Sequence, residues 1–152
     1  MSTPVHRGFN ANKWTALAAC SASIAVVCGA VGSHALRPHL AVESMRAWQV
    51  GTNYQLAHGL ALLLVAQLLA KSADDYQRYL RVAQLFTLGT ILFSGSLYGL
   101  ALTKWSVLGP ITPIGGLCFI AGWLLLMVRA WTAPPVEHTT LVEQTQSEEI
   151  SE

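Results

Sequence analysis

Charge is scarce in this 152-residue sequence, in which only 11% of residues are Asp, Glu, Lys or Arg. Ordinary soluble domains carry about 25%. The hydrophobic share is 53%, so the composition excludes a typical water-soluble enzyme. The formal net charge of +1 gives no reason to expect a nucleic-acid partner or an acidic substrate. The composition instead indicates a protein whose partner is the lipid bilayer.

The sequence also lacks the short motifs of common enzyme classes. It contains no G-x-x-x-x-G-K-[ST] phosphate-binding loop, no G-x-S-x-G nucleophile turn and no H-E-x-x-H zinc pair. Cys20, Cys28 and Cys118 lie in apolar stretches without zinc-type spacing. On one helix, Cys20 and Cys28 would be about 12 Å apart, too far for a disulfide. We therefore expect a protein that is not an enzyme and holds no metal or cofactor.

Four apolar windows are long enough to cross a hydrocarbon core about 30 Å thick, which takes roughly 20 helical residues. They cover approximately residues 14–36, 50–70, 80–102 and 110–129. We predict an all-α polytopic membrane protein, a bundle of four transmembrane helices with both termini on the same side. Residues 1–13 are predicted to be a cytoplasmic N-terminal segment, residues 14–130 the membrane domain, and residues 131–152 a disordered acidic tail.

The connectors between the windows are short. Residues 40–49 are predicted to form an amphipathic segment at the membrane interface, with Glu43 and Arg46 on one side and Met45 and Trp48 on another. Pro110 and Pro113 fit the first turn of the fourth helix, where a missing N–H group costs nothing.

Lysine and arginine are distributed unequally between the two sides of the membrane. One side holds Arg7, Lys13, Lys71, Arg78, Arg81 and Arg129, and the other holds Arg37, Arg46 and Lys104. Because cytoplasmic loops carry the excess of positive charge, both termini are predicted to be cytoplasmic. An alternative is that the first window is a cleaved signal peptide, since residues 33–35 form a small-x-small site, but its apolar stretch is long for that.

Polar side chains gather in one half of the membrane, which we call the polar half. There the first and third windows end and the second and fourth begin. The candidate cluster comprises His34, Gln55, His58, Ser94, Ser96, Tyr98 and Thr112. Asp, Glu, Lys and Arg are absent from the window centres, which argues against an ion-coupled or proton-coupled transporter.

His58 is the most informative member of this cluster. It shares one helical face with Gly51, Gln55 and Leu62, and this face is predicted to point into the bundle. At about 12 Å along the helix from Val50, it lies too deep to face lipid without a partner. The favoured interpretation is a hydrogen-bonded histidine that holds helices together, and the alternative is a histidine that handles protons or binds a ligand.

The partners expected for His58 are Tyr98, Ser94, His34 or a buried water molecule. Haem ligation by His34 and His58 is disfavoured, because the two residues lie at different depths and axial ligands need matching ones.

Glycines predict a close contact between the third and fourth helices. Gly95 and Gly99 form a small-x-x-x-small pair in the third window, and Gly115 and Gly116 lie at about the same depth in the fourth. Helix packing alone is the simpler interpretation of this pattern.

Four short runs carry a resemblance to a known family. They are GAVGSHAL at 29–36, YQLAHGLAL at 54–62, LFSGSLY at 92–98 and LGPITPIGG at 108–116, the last followed by Gly122-Trp123. In this order, over about residues 14–130, they resemble the YgdD-type small integral membrane proteins, a domain of unknown function with bacterial members and a eukaryotic relative. The resemblance implies a four-helix fold in the bacterial inner membrane, or in the mitochondrial inner membrane if the source is eukaryotic, and no established activity.

Two hypotheses for function follow. The leading one is a small non-catalytic inner-membrane protein that serves as an accessory or assembly subunit of a larger membrane complex, with the bilayer and other membrane subunits as partners. The alternative is a pathway or binding site for a small molecule, an ion, a lipid or a quinone that opens at the polar cluster.

Overall fold

The computed structural model describes residues 4–71 and 75–132, with side chains from residue 11 onward in these ranges. The predicted acidic tail lies outside the described residues, apart from residues 131 and 132. The helices are α1 (Pro4–Val31), α2 (Val42–Lys71), α3 (Tyr76–Gly89), α4 (Gly95–Thr103) and α5 (Ile111–Thr132). A π-helical turn, Gly32–Leu36, extends α1, and another, Thr90–Ser94, joins α3 to α4.

Four stretches of these helices are long and apolar enough to cross a membrane. They are Ala11–Leu36, Val42–Lys71, Tyr76–Thr103 and Ser106–Thr132. We refer to them as the first to fourth spans, the third comprising α3, the π-helical turn and α4. The predicted all-α, four-span architecture is confirmed, and the even number of spans brings the first residues of the first span and the last residues of the fourth to the same side.

The second span starts earlier than its apolar window suggests. The helix begins at Val42 rather than near residue 50, so the predicted amphipathic segment is, from Val42 onward, the first part of α2. The reason is visible at Trp48, which is buried against α1 and donates its indole N–H to the carbonyl oxygen of Cys28 at 2.9 Å. The apolar side of this segment covers the neighbouring helix, and the segment continues directly into α2.

Helix α2 is the centre of the bundle. α1 packs along one side of α2 and the third span along another, while α1 and the third span make little contact with each other. α5 packs against the third span and meets α2 through aromatic side chains. The apolar core includes Ala18, Val65, Leu69, Phe86 and Phe119. The polar half lies at one end of this arrangement, and we call the other end, with Arg78, Arg81 and Arg129, the basic end.

Glycines bring the third and fourth spans together, through a set that only partly coincides with the predicted one. Gly115 lies so close to the backbone of Phe93 that a Cβ atom there would collide with it. Gly89 and Gly122, which are not among the predicted packing glycines, face the rings of Phe119 and Phe86.

The remaining predicted packing glycines differ among themselves. A Cβ added at Gly99 would come within 2.6 Å of the end of the Leu108 side chain in the fourth span, whereas one added at Gly116 would be 3.8 Å from the ring of Phe93. Gly95 is exposed, and an added Cβ would meet nothing within 4 Å, so it does not form the predicted contact. The π-helical turn just before Gly95 rotates α4 relative to α3, a displacement that a regular helical count does not include.

The connection between the third and fourth spans turns sharply after α4. Lys104 has φ 57°, in the left-handed region that favours glycine, and its N–H donates to the carbonyl oxygen of Leu100 at 2.9 Å. Helix α5 then begins at Ile111, one residue after Pro110 and with Pro113 in its first turn.

Candidate functional site

Gln55 connects three helices in the polar half. It lies on α2 and is 6% exposed. Its side-chain N–H donates to the backbone oxygen of Ser21 on α1 at 3.1 Å, and its side-chain oxygen accepts the hydroxyl proton of Tyr98 on α4 at 2.9 Å. All polar atoms of this amide side chain therefore point at other helices, as a buried polar group within a membrane requires.

Tyr98 has further contacts around the same point. Its hydroxyl lies 3.3 Å from the hydroxyl oxygen of Thr52, and its ring centroid is 4.6 Å from that of Trp48. Below the ring, α2 presents Gly51, where an added Cβ would come within 3.2 Å of the tyrosine ring. Small size at position 51 thus permits α4 to approach α2 and places the tyrosine hydroxyl at Gln55.

Both ring nitrogens of His58 are engaged by the protein. Nδ1 is 2.9 Å from the backbone oxygen of Tyr54, and Nε2 is 3.2 Å from the indole nitrogen of Trp123 on α5. A carbonyl oxygen only accepts a hydrogen bond and an indole N–H only donates one. These partners require a neutral imidazole with its proton on Nδ1 and its lone pair on Nε2 facing the indole.

The His58 ring is also held by aromatic neighbours. It stacks on Phe119 with a centroid distance of 3.5 Å and an interplanar angle of 14°, and Phe86 meets its edge. A second proton on Nε2 would set two N–H groups against each other at Trp123. Neither ring nitrogen of His58 is free to bind a haem iron. The partners of His58 also differ from the expected Tyr98, Ser94 and His34.

Ser96 and Thr112 form a third polar contact, between α4 and α5. Their hydroxyl oxygens are 2.7 Å apart, and the Ser96 hydroxyl donates to the backbone oxygen of Phe93 at 2.9 Å. Ser94 is 1% exposed, and among the described side chains its hydroxyl is the one buried polar atom without a hydrogen-bond partner.

The predicted cluster therefore resolves into three separate contacts. Gln55 joins Tyr98, His58 joins Trp123, and Ser96 joins Thr112, whereas His34 is exposed in the π-helical turn at the end of the first span. Trp123 is the member that sequence reasoning missed. Its presence on the fourth helix beside Gly122 was a visible signal, because a tryptophan N–H within a membrane needs an acceptor.

A cleft of about 180 Å³ opens beside these contacts toward the surroundings of the bundle. Its floor is α2 and its walls are α1 and the third span. The lining residues are Leu17, Cys20, Ser21, Ile24, Gln55, His58, Leu62, Thr87, Thr90 and Ile91. The cleft is mostly apolar, and its polar groups lie on all three helices.

Metal binding has no geometric support in the described part of the chain. Across residues 11–71 and 75–132, no three His, Cys, Asp or Glu side chains come together around one point. The three cysteines are free thiols on α1 and α5.

The fold and its internal polar contacts define a multi-pass membrane protein of four helices with almost the whole described chain inside the spans. Comparison with known proteins agrees. The profile of a family described as a protein of unknown function (DUF423) matches residues 28–116. The chain belongs to this family, as the motifs in the sequence indicated.

Relatives share most of the chain. The UPF0382 inner membrane protein YgdD of Escherichia coli is 40% identical over 113 residues, which cover 74% of this chain and 85% of the relative. The UPF0382 membrane protein YwdK of Bacillus subtilis is 39% identical over 114 residues, covering 75% and 92%. A UPF0382 membrane protein of Staphylococcus epidermidis is 42% identical over 112 residues, covering 74% and 89%. No solved structure gives a significant match.

Proposed function

We propose that this protein is a non-catalytic integral membrane protein that serves as an accessory or assembly subunit of a larger membrane complex. The observation that supports the proposal is that the polar side chains Gln55, His58 and Tyr98 of the polar half are hydrogen-bonded within the protein. Each of them forms a hydrogen bond to another helix, and the second ring nitrogen of His58 is bonded within α2. These side chains therefore stabilise the bundle and are not free to react with a substrate. A stable bundle whose described residues lie almost entirely within the spans is suited to binding other membrane helices.

The exposed glycine on the third span offers a place for such a helix. Gly95 has open space around its Cα, and small residues allow two helices in lipid to approach closely. A leucine at this position would occupy the space, yet it would touch nothing within the bundle. Ala19, exposed on α1, provides a matched control position.

Co-purification tests this proposal. A carboxyl-tagged full-length chain, expressed at native level and extracted in mild detergent, is expected to bring down a stoichiometric set of membrane subunits. Gly95→Leu is expected to lose them at unchanged melting temperature, and Ala19→Leu is expected to retain them. Recovery of the wild-type chain alone, or only with copies of itself, would contradict the proposal.

The same proposal includes a location. We infer residence in the inner membrane with both chain ends in the cytoplasm, supported by the name of the Escherichia coli relative and by the six-to-three distribution of basic residues. A carboxyl-terminal fluorescent protein that folds only in the cytoplasm is expected to fluoresce. A dark fusion that becomes active with a periplasmic reporter would reverse the orientation.

A second candidate function is supported by the cleft beside His58. Its apolar lining, its opening between α1 and the third span, and its few polar groups fit a membrane-dissolved molecule such as a quinone or a lipid. Cys20 is exposed on the cleft wall, so Cys20→Phe would fill the cleft without changing Gln55 or His58. Ala19→Phe places the same ring one residue away, outside the lining.

Quinone binding can be measured directly. Detergent-solubilised protein is titrated with a short-chain ubiquinone while the quenching of tryptophan fluorescence is followed. Saturable quenching in the wild type and in Ala19→Phe, lost in Cys20→Phe, would support the cleft as the binding site. Identical linear quenching in all three proteins would exclude this second function for quinones.

A further inference from the structure

At the basic end of the bundle, α3 and α5 enclose a groove with an unusual concentration of positive charge. Its volume is about 490 Å³, within the range of about 300–1,000 Å³ that small-molecule sites occupy. The lining residues are Arg78, Arg81, Leu125, Val128, Arg129 and Thr132. Three of these six side chains are arginines, and none of them takes part in the polar contacts of the opposite half.

Helical spacing builds the groove. Arg78 and Arg81 are three residues apart on α3 and share a face. On α5, Val128 and Arg129 lie three and four residues after Leu125, and Thr132 lies three residues after Arg129, so these side chains also share a face. Asp75 fixes the third arginine, because one oxygen of its carboxylate accepts a hydrogen bond from Nε of Arg129 and forms an ion pair with Nη2 of the same guanidinium group. Arg78 is 3.8 Å from the other oxygen of the same carboxylate. Among the described residues at this groove, three arginines face one carboxylate, which leaves a surplus of two positive charges.

We propose that this groove binds the phosphodiester headgroup of an anionic phospholipid. Arginine guanidinium groups form paired hydrogen bonds to phosphate oxygens, and basic pockets between transmembrane helices are suited to lipid headgroups. The groove lies at the ends of two spans, Tyr76–Thr103 and Ser106–Thr132, where headgroups meet the bundle. Its charge therefore faces the layer of the bilayer that contains phosphate.

The apolar part of the lining distinguishes a lipid from a free phosphate ion. Leu125 and Val128 are 43% and 54% exposed in the same groove as the arginines. An acyl chain that extends from the headgroup toward the membrane centre would cover both side chains. A free phosphate ion would contact only the guanidinium groups and would leave this surface uncovered.

The test uses native mass spectrometry of the full-length protein in detergent micelles containing either phosphatidylglycerol or phosphatidylcholine. We expect one phosphatidylglycerol molecule to be retained and phosphatidylcholine to be lost. The double variant Arg78→Gln, Arg81→Gln leaves the Asp75–Arg129 pair in place and is expected to weaken phosphatidylglycerol binding about thirtyfold. The double variant Arg37→Gln, Arg46→Gln removes the same charge from exposed positions at the opposite end and is expected to bind as the wild type does.

Three results would overturn the proposal. Equal weakening by both double variants would show a general charge effect. Full competition by millimolar inorganic phosphate would assign the groove to a free anion. Phosphatidylglycerol binding that appears only after the five glutamates of residues 133–152 are changed to glutamine would assign the groove to the acidic tail of the chain itself. Melting temperatures of all variants within a few degrees of the wild type establish that each is folded.

Discussion

The two helical hairpins of this protein share the same kinds of contact but differ in their proportions. Both contain glycine contacts and interhelical hydrogen bonds, and the closest approaches of glycine to backbone lie in the carboxy-terminal hairpin. In the amino-terminal hairpin, two side chains of α2 donate hydrogen bonds to backbone oxygens of α1. Trp48 donates to Cys28, and Gln55 donates to Ser21. In the carboxy-terminal hairpin, glycines of the third and fourth spans interlock with phenylalanine rings and backbone, and Gly115 against Phe93 is the tightest of these contacts.

This difference matters because lipid gives no hydrophobic drive for helices to associate. A side-chain hydrogen bond in a membrane has a small net energy, since the separated helices find other partners. A glycine contact, in contrast, is steric and cannot be replaced. We therefore expect the carboxy-terminal hairpin to tolerate substitution less well than the amino-terminal one, and His58 to have an intermediate role because it joins α2 to α5.

The largest effect is expected at Gly115. Gly115→Ala places a methyl group against the backbone of Phe93, which cannot move as a flexible side chain could. We expect a loss of about 3 kcal/mol in the free energy of unfolding, measured by SDS titration with circular dichroism. Gly95→Ala is the matched control, with open space for its methyl group and an expected gain of about 0.5 kcal/mol from helix propensity. Equal effects at both positions would refute the steric explanation.

A smaller loss is expected at His58. His58→Leu removes the hydrogen bonds to Trp123 and Tyr54 and changes the stacking on Phe119. We expect the free energy of unfolding to fall by about 1.5 kcal/mol. Trp123→Phe removes the same interhelical hydrogen bond from its other side. The double variant should cost less than the sum of the two single variants, as expected for partners in one contact. Strict additivity in the double-mutant cycle would show that the bond contributes nothing.

In the amino-terminal hairpin the expected loss is smaller still. Gln55→Leu removes the hydrogen bonds to Ser21 and Tyr98 and replaces the amide with an apolar side chain of similar size. We expect the free energy of unfolding to fall by about 1 kcal/mol. Thermal unfolding in the same detergent is the measurement. A loss larger than that of Gly115→Ala would reverse the comparison between the hairpins.

The smallest effect is expected in the turn that closes the carboxy-terminal hairpin. Lys104 has a left-handed backbone conformation that glycine adopts without steric cost. Lys104→Gly is therefore expected to raise the free energy of unfolding by about 0.5 kcal/mol. A decrease would indicate that the lysine side chain itself stabilises the turn.

The four-span fold could be predicted from the sequence because apolar length and the positions of Pro110 and Pro113 are local signals. The start of α2 could not, since residues 42–49 are amphipathic in a way that suits either a membrane surface or a neighbouring helix. The position of α1 decides between these two surroundings. In the structure α1 lies beside this segment, and Trp48 donates a hydrogen bond to the backbone oxygen of Cys28.

The sequence predicted which residues form the candidate site better than it predicted which of them contact each other. Depth along the helices brought Gln55, His58 and Tyr98 into one region, but a helical wheel does not say which neighbour each faces. His58 pairs with Trp123, which lies about two turns further along α5 than the Gly115 contact, because α5 crosses α2 only through its aromatic side chains. Gly95 was misplaced for a related reason, the irregular turn before it.

That irregular turn, Thr90–Ser94, has a consequence for comparing relatives. A π-helical turn takes one residue more than the regular spiral, so the positions after it are displaced by about 100° around the axis. In a relative that lacks the extra residue, the part of the third span after this turn would present a different set of side chains to α2 and α5. When new members of the family are aligned, one gap in the third span would mark a change in what the bundle buries.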